Sequence, residues 1–138
     1  MVASRVDPAM TAASAVRQVP MVCVVDDDAS IQRALRRLLG ATGFRVETFS
    51  SAEEFLHSEH VRRADCLVLD VHLGGLSGLD LQERLAKSGA ATPVVVITAH
   101  DDRPTRERAA RAGAVEYLAK PFDDDLLIAA IRRAIGDA

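Results

Sequence analysis

The sequence predicts a doubly wound α/β domain, with one parallel sheet of five strands and five helices on its two faces. Short aliphatic runs alternate, five times between residues 21 and 136, with segments in which apolar residues recur at helical spacing. Most of these runs are apolar at successive positions, which is typical of strands buried on both faces of a parallel sheet. A chain of 138 residues, of which 49% are hydrophobic, is large enough for one such domain.

The first two strand–helix units come before residue 61. The run MVCVV at residues 21–25 predicts the first strand, and the helical spacing after it predicts a helix that Gly43 ends in the left-handed conformation. Residues 44–49 alternate between apolar and polar side chains and predict a shorter second strand. A serine at position 50 or 51, with a glutamate three positions later, predicts a capping box and a second helix that runs through His60.

The other three units repeat this pattern. The remaining strands are predicted at residues 66–70, 94–98 and 115–119. The remaining helices are predicted to end near glycines, at Gly89, Gly113 and Gly136. Asp123 is predicted to cap the last helix at its N-terminus. Right-handed crossovers between parallel strands place the helices on both faces of the sheet.

Composition and charge exclude several classes of function. The net charge of -3 and the aromatic content of 4% argue against direct contact with nucleic acid. No apolar run approaches the ~20 residues of a membrane span, and the N-terminus does not resemble a signal peptide, so we expect a cytoplasmic protein without a membrane partner. Cys23 and Cys66 lie in apolar runs and are predicted to be reduced and buried. Residues 1–20 are predicted to be a flexible leader, and residues 21–138 the folded domain.

Polar residues of related chemistry follow four of the predicted strands. They are Asp26 and Asp27 after the first strand, Asp70 at the end of the third, Thr98 at the end of the fourth and Lys120 after the fifth. The carboxyl ends of parallel strands meet at one edge, where open α/β sheets bind ligands. Clustered carboxylates favour a hard cation such as Mg²⁺, and an aspartate can attack phosphorus. We therefore predict a phosphoryl site in which Asp70 is the acceptor, the Asp26–Asp27 pair holds Mg²⁺, and Lys120 and Thr98 contact the phosphoryl oxygens.

Four segments of the chain resemble the receiver domain of bacterial two-component response regulators, over residues 21 to about 136. The segments are VVDDD, LVLDVHLGGLSGLDL, VVVITAH and GAVEYLAKPF, in that order. The resemblance implies a flavodoxin-like or CheY-like fold with strand order 2-1-3-4-5. It also implies that Asp70 accepts a phosphoryl group from a sensor histidine kinase or a phosphotransfer protein.

The same resemblance implies roles for individual residues. The implied Mg²⁺ ligands are Asp26, Asp27, Asp70 and the backbone carbonyl of His72. Thr98 would be the switch hydroxyl, Tyr117 the aromatic side chain that moves inward after phosphorylation, and Lys120 the phosphoryl contact. The Lys120–Pro121 peptide bond would be cis. The face formed by the fourth helix, fifth strand and fifth helix would then change, and would bind a downstream protein or a second copy of the chain.

Two features beside the predicted site modify this expectation. His72 and His100 are expected to flank the mouth of the pocket and to tune water access and phosphoryl lifetime. The loop after Asp70 has Gly74 where the family usually has a proline, followed by a second glycine. Two adjacent glycines predict a more mobile loop, with no loss of activity.

Other functions compete with this interpretation. A phosphohydrolase with an aspartate nucleophile typically needs a second carboxylate two residues later, where this chain has His72. A flavin-binding module would need hydroxyls and glycines after the first strand, where residues 26–28 are three aspartates that repel a phosphate. The chain is expected to be a switch rather than an enzyme with a separate substrate. It is either a single-domain regulator, which the clean end of the last helix favours, or the receiver half of a longer DNA-binding transcription regulator.

Overall fold

A single parallel sheet of five strands lies at the centre of the protein, which confirms the predicted fold class. The structure is a computed structural model that describes residues 19–136, so the predicted leader, except for its last two residues, lies outside the described residues. The strands are β1 (Met21–Val25), β2 (Arg45–Phe49), β3 (Cys66–Asp70), β4 (Val94–Thr98) and β5 (Glu116–Ala119). Their order is β2-β1-β3-β4-β5, as implied by the sequence.

Within residues 19–136, four α-helices and one short 3₁₀ helix connect the strands, and a fifth α-helix follows the last strand. The α-helices are α1 (Ala29–Thr42), α2 (Ala52–Leu56), α3 (Gly78–Lys87), α4 (Arg103–Arg111) and α5 (Asp124–Ala134). Alternate strand residues join two different apolar clusters. Val22 and Val24 pack with residues of α1 and α5, whereas Cys23 and Val25 pack with residues of α2, α3 and α4. Helices therefore cover both faces of the sheet, and this is why the central strands are apolar at successive positions up to their carboxyl ends.

Helix α1 begins and ends next to residues that the sequence marks as helix caps. The Asp28 carboxylate accepts hydrogen bonds from the backbone N–H groups of Ser30 and Ile31, and so caps the helix. Gly43 ends the helix with φ of 108°, in the left-handed region that glycine adopts without strain. Because only three residues separate the end of β1 from the start of α1, the N-terminus of α1 lies at the carboxyl edge of the sheet.

The predicted second helix is wrong in length. It ends at Leu56, and a separate 3₁₀ helix (Glu59–Arg62) follows. Ser51 caps α2, whereas Ser58 turns its hydroxyl back to the Phe55 carbonyl and also caps the 3₁₀ helix. A serine that bonds the local backbone in this way competes with helix continuation.

The start of the last helix is where the sequence predicts it, but the predicted side-chain cap is absent. Asp123 occupies the N-cap position of α5, but its side chain makes no capping hydrogen bond. Asp124 and Asp125 in the first turn place negative charge near the positive end of the helix dipole. Both cysteines are free and buried, as predicted. Among the described helices, none combines the length and apolar character that crossing a membrane requires.

Candidate functional site

Strand register brings the predicted site residues to one edge of the sheet. The pairing of β1 with β3 sets Asp26 beside Asp70, because the residues just before them are register partners. In the pairing of β3 with β4, Asp70 lies opposite Ile97, the residue before Thr98. In the pairing of β4 with β5, Thr98 lies opposite Ala119, the residue before Lys120. The backbone ladder continues into the site, since the Lys120 N–H donates to the Thr98 carbonyl at 2.7 Å. Four residues distant in sequence therefore converge.

Lys120 joins two of the converging carboxylates. Its Nζ lies 3.0 Å from Oδ2 of Asp26 and 3.7 Å from Oδ2 of Asp70. Asp26 is fully buried and Asp70 is 5% exposed. The other Asp26 oxygen accepts a hydrogen bond of 2.9 Å from the Asp28 N–H. The peptide bond between Lys120 and Pro121 is cis, as the resemblance implies.

Asp27 completes a cluster of three carboxylates that suits a divalent cation. One oxygen each of Asp26, Asp27 and Asp70 lies within 4.8 Å of the other two, and Asp27 is the exposed member. Burial raises the pKa of Asp70, the charge of Asp26 raises it further, and Lys120 opposes both effects. The single positive charge of Lys120 thus does not neutralise the negative charges of three carboxylates. Carboxylate oxygens in such a cluster are suitable ligands for Mg²⁺.

Thr98 and the two histidines line the same edge. Thr98 is fully buried, and its hydroxyl oxygen accepts a hydrogen bond of 3.0 Å from the His100 N–H. The His72 N–H points to Asp70 Oδ1 at 3.4 Å. The rings of His72 and His100, both exposed, meet edge to face with centroids 4.5 Å apart. The structure therefore places the two histidines together, at the exposed side of the carboxylate cluster.

Tyr117 lies on β5 and outside the carboxylate cluster. Its ring packs against the apolar cluster on the α3–α4 side of the sheet. Its hydroxyl is already covered by the protein and makes no hydrogen bond with any described residue. Burial is the largest cause that raises the pKa of Tyr117, to about 12.

Sequence reasoning missed three supporting residues. The Gln32 amide of α1 donates to the Asp26 carbonyl at 2.6 Å and so holds the end of β1. A side chain at Gly78 would collide with the Asp70 backbone, so glycine is required there. Glu53 of α2 accepts the Leu76 N–H at 3.0 Å, which ties down the loop after Asp70. Gly78 could have been noticed, since it ends the quoted glycine-rich loop. Nothing in the sequence indicates the contact of Gln32 with Asp26, and the capping-box pattern that includes Glu53 does not indicate its contact with Leu76.

Fold and site together define an open α/β protein with three clustered carboxylates, two of them buried, and a lysine at the carboxyl edge of a parallel sheet. The model of the response regulator receiver domain family matches residues 22–132. The chain therefore belongs to the response regulator receiver domain family of two-component signalling.

Curated relatives of the chain are longer proteins. The response regulator protein TmoT of Ectopseudomonas mendocina is 40% identical over 118 residues, which cover 86% of this chain and 54% of TmoT. Nodulation protein W of Bradyrhizobium diazoefficiens is 46% identical over 111 residues, covering 80% of this chain and 49% of that protein. The chain thus spans about half the length of the curated relatives it matches.

A solved receiver structure has nearly the same extent as the domain. The response regulator receiver protein from Burkholderia phymatum is 48% identical, with a TM-score of 0.75. The match covers 86% of this chain and 97% of that one. The matched part of this chain therefore corresponds to nearly the whole of that receiver protein.

Proposed function

We propose that Asp70 accepts a phosphoryl group from a histidine kinase or a phosphotransfer protein, and that the domain acts as a phosphorylation switch. The observation that carries this proposal is the convergence of three carboxylates and Lys120 at the carboxyl edge of the sheet. An excess of negative charge repels a free phosphate but suits a cation beside a carboxylate nucleophile. The site thus supports chemistry on Asp70 itself rather than on a bound nucleotide or a separate substrate.

In the transfer step, an Asp70 oxygen attacks phosphorus. A bond from that oxygen to phosphorus forms, the bond from phosphorus to the donor atom breaks, and its electron pair leaves with the donor. Lys120 lies close enough to Asp70 to turn its ammonium group toward the transferred oxygens. The Thr98 hydroxyl can exchange the His100 N–H for a phosphoryl oxygen, as donor.

Asp26, Asp27 and Asp70, with the backbone carbonyl of His72, would hold Mg²⁺. When bound, the ion neutralises charge on the phosphoryl oxygens. Asp26 is also held in place by Lys120 and the Asp28 N–H, so it offers a preset ligand. Asp27, the exposed member, lies where an entering ion first meets the cluster.

The phosphodonor is a protein in this proposal, and an apolar cleft beside the site supports that choice. The cleft has a volume of about 480 Å³ and adjoins Lys120. Its lining residues are Ile31, Ala34, Leu35, Ala99, Lys120, Pro121 and Phe122. An apolar surface that continues into a charged site fits a protein that presents a phosphohistidine. Burial of both free thiols is compatible with the reducing cytoplasm, where we place the reaction.

The output of the switch is a change of the α4–β5–α5 face, which binds a downstream protein or a second copy of the chain. Thr98 ends β4 and leads directly into the loop before α4, so a shift of its hydroxyl reaches that face. The exposed rings of His72 and His100 meet edge to face, and their backbone N–H groups point to Asp70 and Thr98, which supports a role in limiting the water that hydrolyses the phosphoryl group. Their replacement by alanine is expected to change the lifetime of the phosphorylated form.

A second candidate role is that of the receiver half of a longer DNA-binding regulator. The observation that favours it is that this chain spans about half of each curated relative just described. A reading frame that continues beyond the codon of residue 138 into a DNA-binding segment would support this role. A stop codon directly after it would remove it.

Phosphorylation with a small donor tests the proposed function. The protein is incubated with Mg²⁺ and acetyl phosphate, and its mass is measured. We expect a gain of one phosphoryl group that requires Mg²⁺ and disappears in Asp70→Ala. Asp123→Ala is the matched control, because Asp123 is an exposed aspartate without a capping hydrogen bond. No gain in the wild type, or a gain that survives Asp70→Ala, would overturn the proposal.

A further inference from the structure

Arg106 of α4 covers the ring of Tyr117. Its guanidinium carbon lies 4.6 Å from the ring centroid, within the range of a cation–π contact. The Tyr117 hydroxyl has no hydrogen-bond partner among the described residues. The Asp101 carboxylate nevertheless lies near enough to act on the phenol. The position of the ring therefore depends on apolar packing, on Arg106 and on Asp101.

Asp101 fixes Arg106 from the other side. An Arg106 guanidinium nitrogen donates to Asp101 Oδ2 at 2.8 Å. Asp101 belongs to the short loop between β4 and α4, three residues after Thr98. Thr98 holds the same loop, since its hydroxyl oxygen accepts the His100 N–H. The loop, Asp101, Arg106 and Tyr117 thus form one chain of contacts that begins at the switch hydroxyl.

We propose that Asp101 and Arg106 are positioning residues that clamp Tyr117 in the unphosphorylated conformation and release it when Thr98 turns toward the phosphoryl group. The inference rests on the proposed function, because it needs Thr98 to leave the His100 N–H. Once that bond is lost, the loop is free to move Asp101 away from Arg106. Arg106 then loses its ion pair with Asp101, and Tyr117 loses its contact with the guanidinium. Phosphorylation of Asp70 thereby changes the conformation of the α4–β5 surface.

The electrostatics of Tyr117 fit this arrangement. Burial and the nearby Asp101 carboxylate raise the pKa of Tyr117, while the charge of Arg106 opposes them. The phenol therefore responds to both members of the clamp. Arg103, on the same helix, pairs instead with Glu107 at 3.1 Å and is 87% exposed. This makes Arg103 a matched control for loss of an arginine from α4.

The chain offers a direct optical probe, because Tyr117 is its only tyrosine and tryptophan is absent. Near-ultraviolet circular dichroism in the tyrosine band therefore reports on Tyr117. Beryllium trifluoride with Mg²⁺ serves as a stable phosphoryl analogue, and its binding is measured independently by ¹⁹F NMR. The variants are Arg106→Gln, Arg106→Lys, Asp101→Asn and the control Arg103→Gln, each also made in a Tyr117→Leu background.

If the clamp exists, Arg106→Gln and Asp101→Asn bind the analogue about two- to fivefold more tightly than the wild type, the factor expected for one exposed cation–π contact. Their unliganded tyrosine spectra shift toward the liganded wild-type spectrum. Arg106→Lys, which keeps a cation, restores most of the wild-type behaviour, and Arg103→Gln changes neither readout. In the Tyr117→Leu background the effect of Arg106→Gln on affinity disappears, which a merely structural role of Arg106 would not produce.

The clamp is overturned if the wild type binds the analogue but Arg106→Gln leaves both affinity and spectrum unchanged. It is also overturned if the affinity change persists without the Tyr117 ring. A wild type that does not bind the analogue instead contradicts the proposed function itself. The two failures are therefore distinguishable.

Discussion

Two carboxylate clusters of this protein, each with a single basic partner, behave in opposite ways. At the carboxyl edge of the sheet, Lys120 lies between the buried carboxylates of Asp26 and Asp70. On the surface between α3 and α4, Arg108 donates to Asp80 at 2.8 Å and to both oxygens of Glu83 at 2.8 and 2.9 Å.

The two clusters differ in which physical effect dominates. The pKa of Asp70 is raised, because burial outweighs the attraction of Lys120. The pKa values of Asp80 and Glu83 are lowered, because charge-assisted hydrogen bonds from Arg108 outweigh a weak desolvation. Asp80 and Glu83 keep 45% and 38% of their side chains exposed, so water still screens the pair.

This difference separates a functional cluster from a structural one. In the functional cluster, neighbouring groups do not fully neutralise the carboxylate charge, so the carboxylates can bind a cation or react with a phosphoryl group. A carboxylate that an arginine satisfies with two parallel bonds holds two helices together instead. Charge composition alone does not distinguish the two cases, since both are acidic groups near one base.

The largest expected effect is on Mg²⁺ binding by the three carboxylates at the edge of the sheet. Asp27→Ala should weaken Mg²⁺ binding about tenfold or more, because one of three charged ligands is lost. Asp28→Ala should leave Mg²⁺ affinity unchanged and lower the free energy of unfolding by about 1 kcal/mol, because it removes the cap of α1. Titration calorimetry and urea unfolding measure the two quantities. Equal losses of Mg²⁺ affinity in both variants would mean that the aspartate triplet acts as one unit.

The next prediction concerns the sign of a stability change. Without metal, Asp70→Asn should raise the free energy of unfolding by about 1 kcal/mol, because it removes a carboxylate whose ionisation burial disfavours. Glu83→Gln should lower it, because a satisfied partner of Arg108 is lost. Urea unfolding in the presence of a chelator measures both. If Asp70→Asn and Glu83→Gln change the free energy of unfolding in the same direction, the proposed difference between the two carboxylate clusters is wrong.

Loss of Arg108 should have a somewhat smaller effect. Arg108→Gln is expected to lower the free energy of unfolding by about 0.5–1 kcal/mol, the upper part of the range for exposed pairs, because two helices lose their common partner. The control is Arg103→Gln, whose pair lies within one helix and is worth about 0.3 kcal/mol. Indistinguishable losses would show that the α3–α4 bridge contributes no more than an ordinary surface pair.

The smallest expected effect is in the pH dependence without metal. The pKa of Asp70 is raised, so the native state gains stability as pH falls through that pKa, and the advantage of Asp70→Asn over the wild type shrinks. The pKa of Glu83 is lowered, so its contribution is present above pH 4.5 and is lost only as pH falls below that value. Unfolding measured from pH 7 to pH 3 should show the wild type gain stability relative to Asp70→Asn and lose stability relative to Glu83→Gln. Shifts of the same sign in both comparisons would contradict the assignment of the two clusters.

Much of the site could be predicted from sequence, because its main residues are the ones that follow strands. Asp26, Asp70, Thr98 and Lys120 each end or follow an aliphatic run, and parallel strands bring such positions together. The second helix was mispredicted because Ser58 bonds the local backbone, a choice between two short-range patterns that the sequence does not decide. Greater mobility of the loop at Gly74 remains a prediction, and Glu53 on the Leu76 N–H is a restraint that opposes it.

Local residue patterns are sufficient to predict the alternation of strands and helices, the left-handed end of α1 at Gly43, and the polar ends of the strands. These features depend on residues a few positions apart, whose spacing is the period of a helix or strand. Two features depend on the folded arrangement: burial disfavours the charge of Asp70 more than Lys120 stabilises it, and Arg106 is the arginine that covers Tyr117. Lys120 and Asp26 are 94 positions apart, and Arg108 and Glu83 are 25 apart. Such pairs depend on sheet register, helix packing and the reach of long side chains, so local patterns do not encode them.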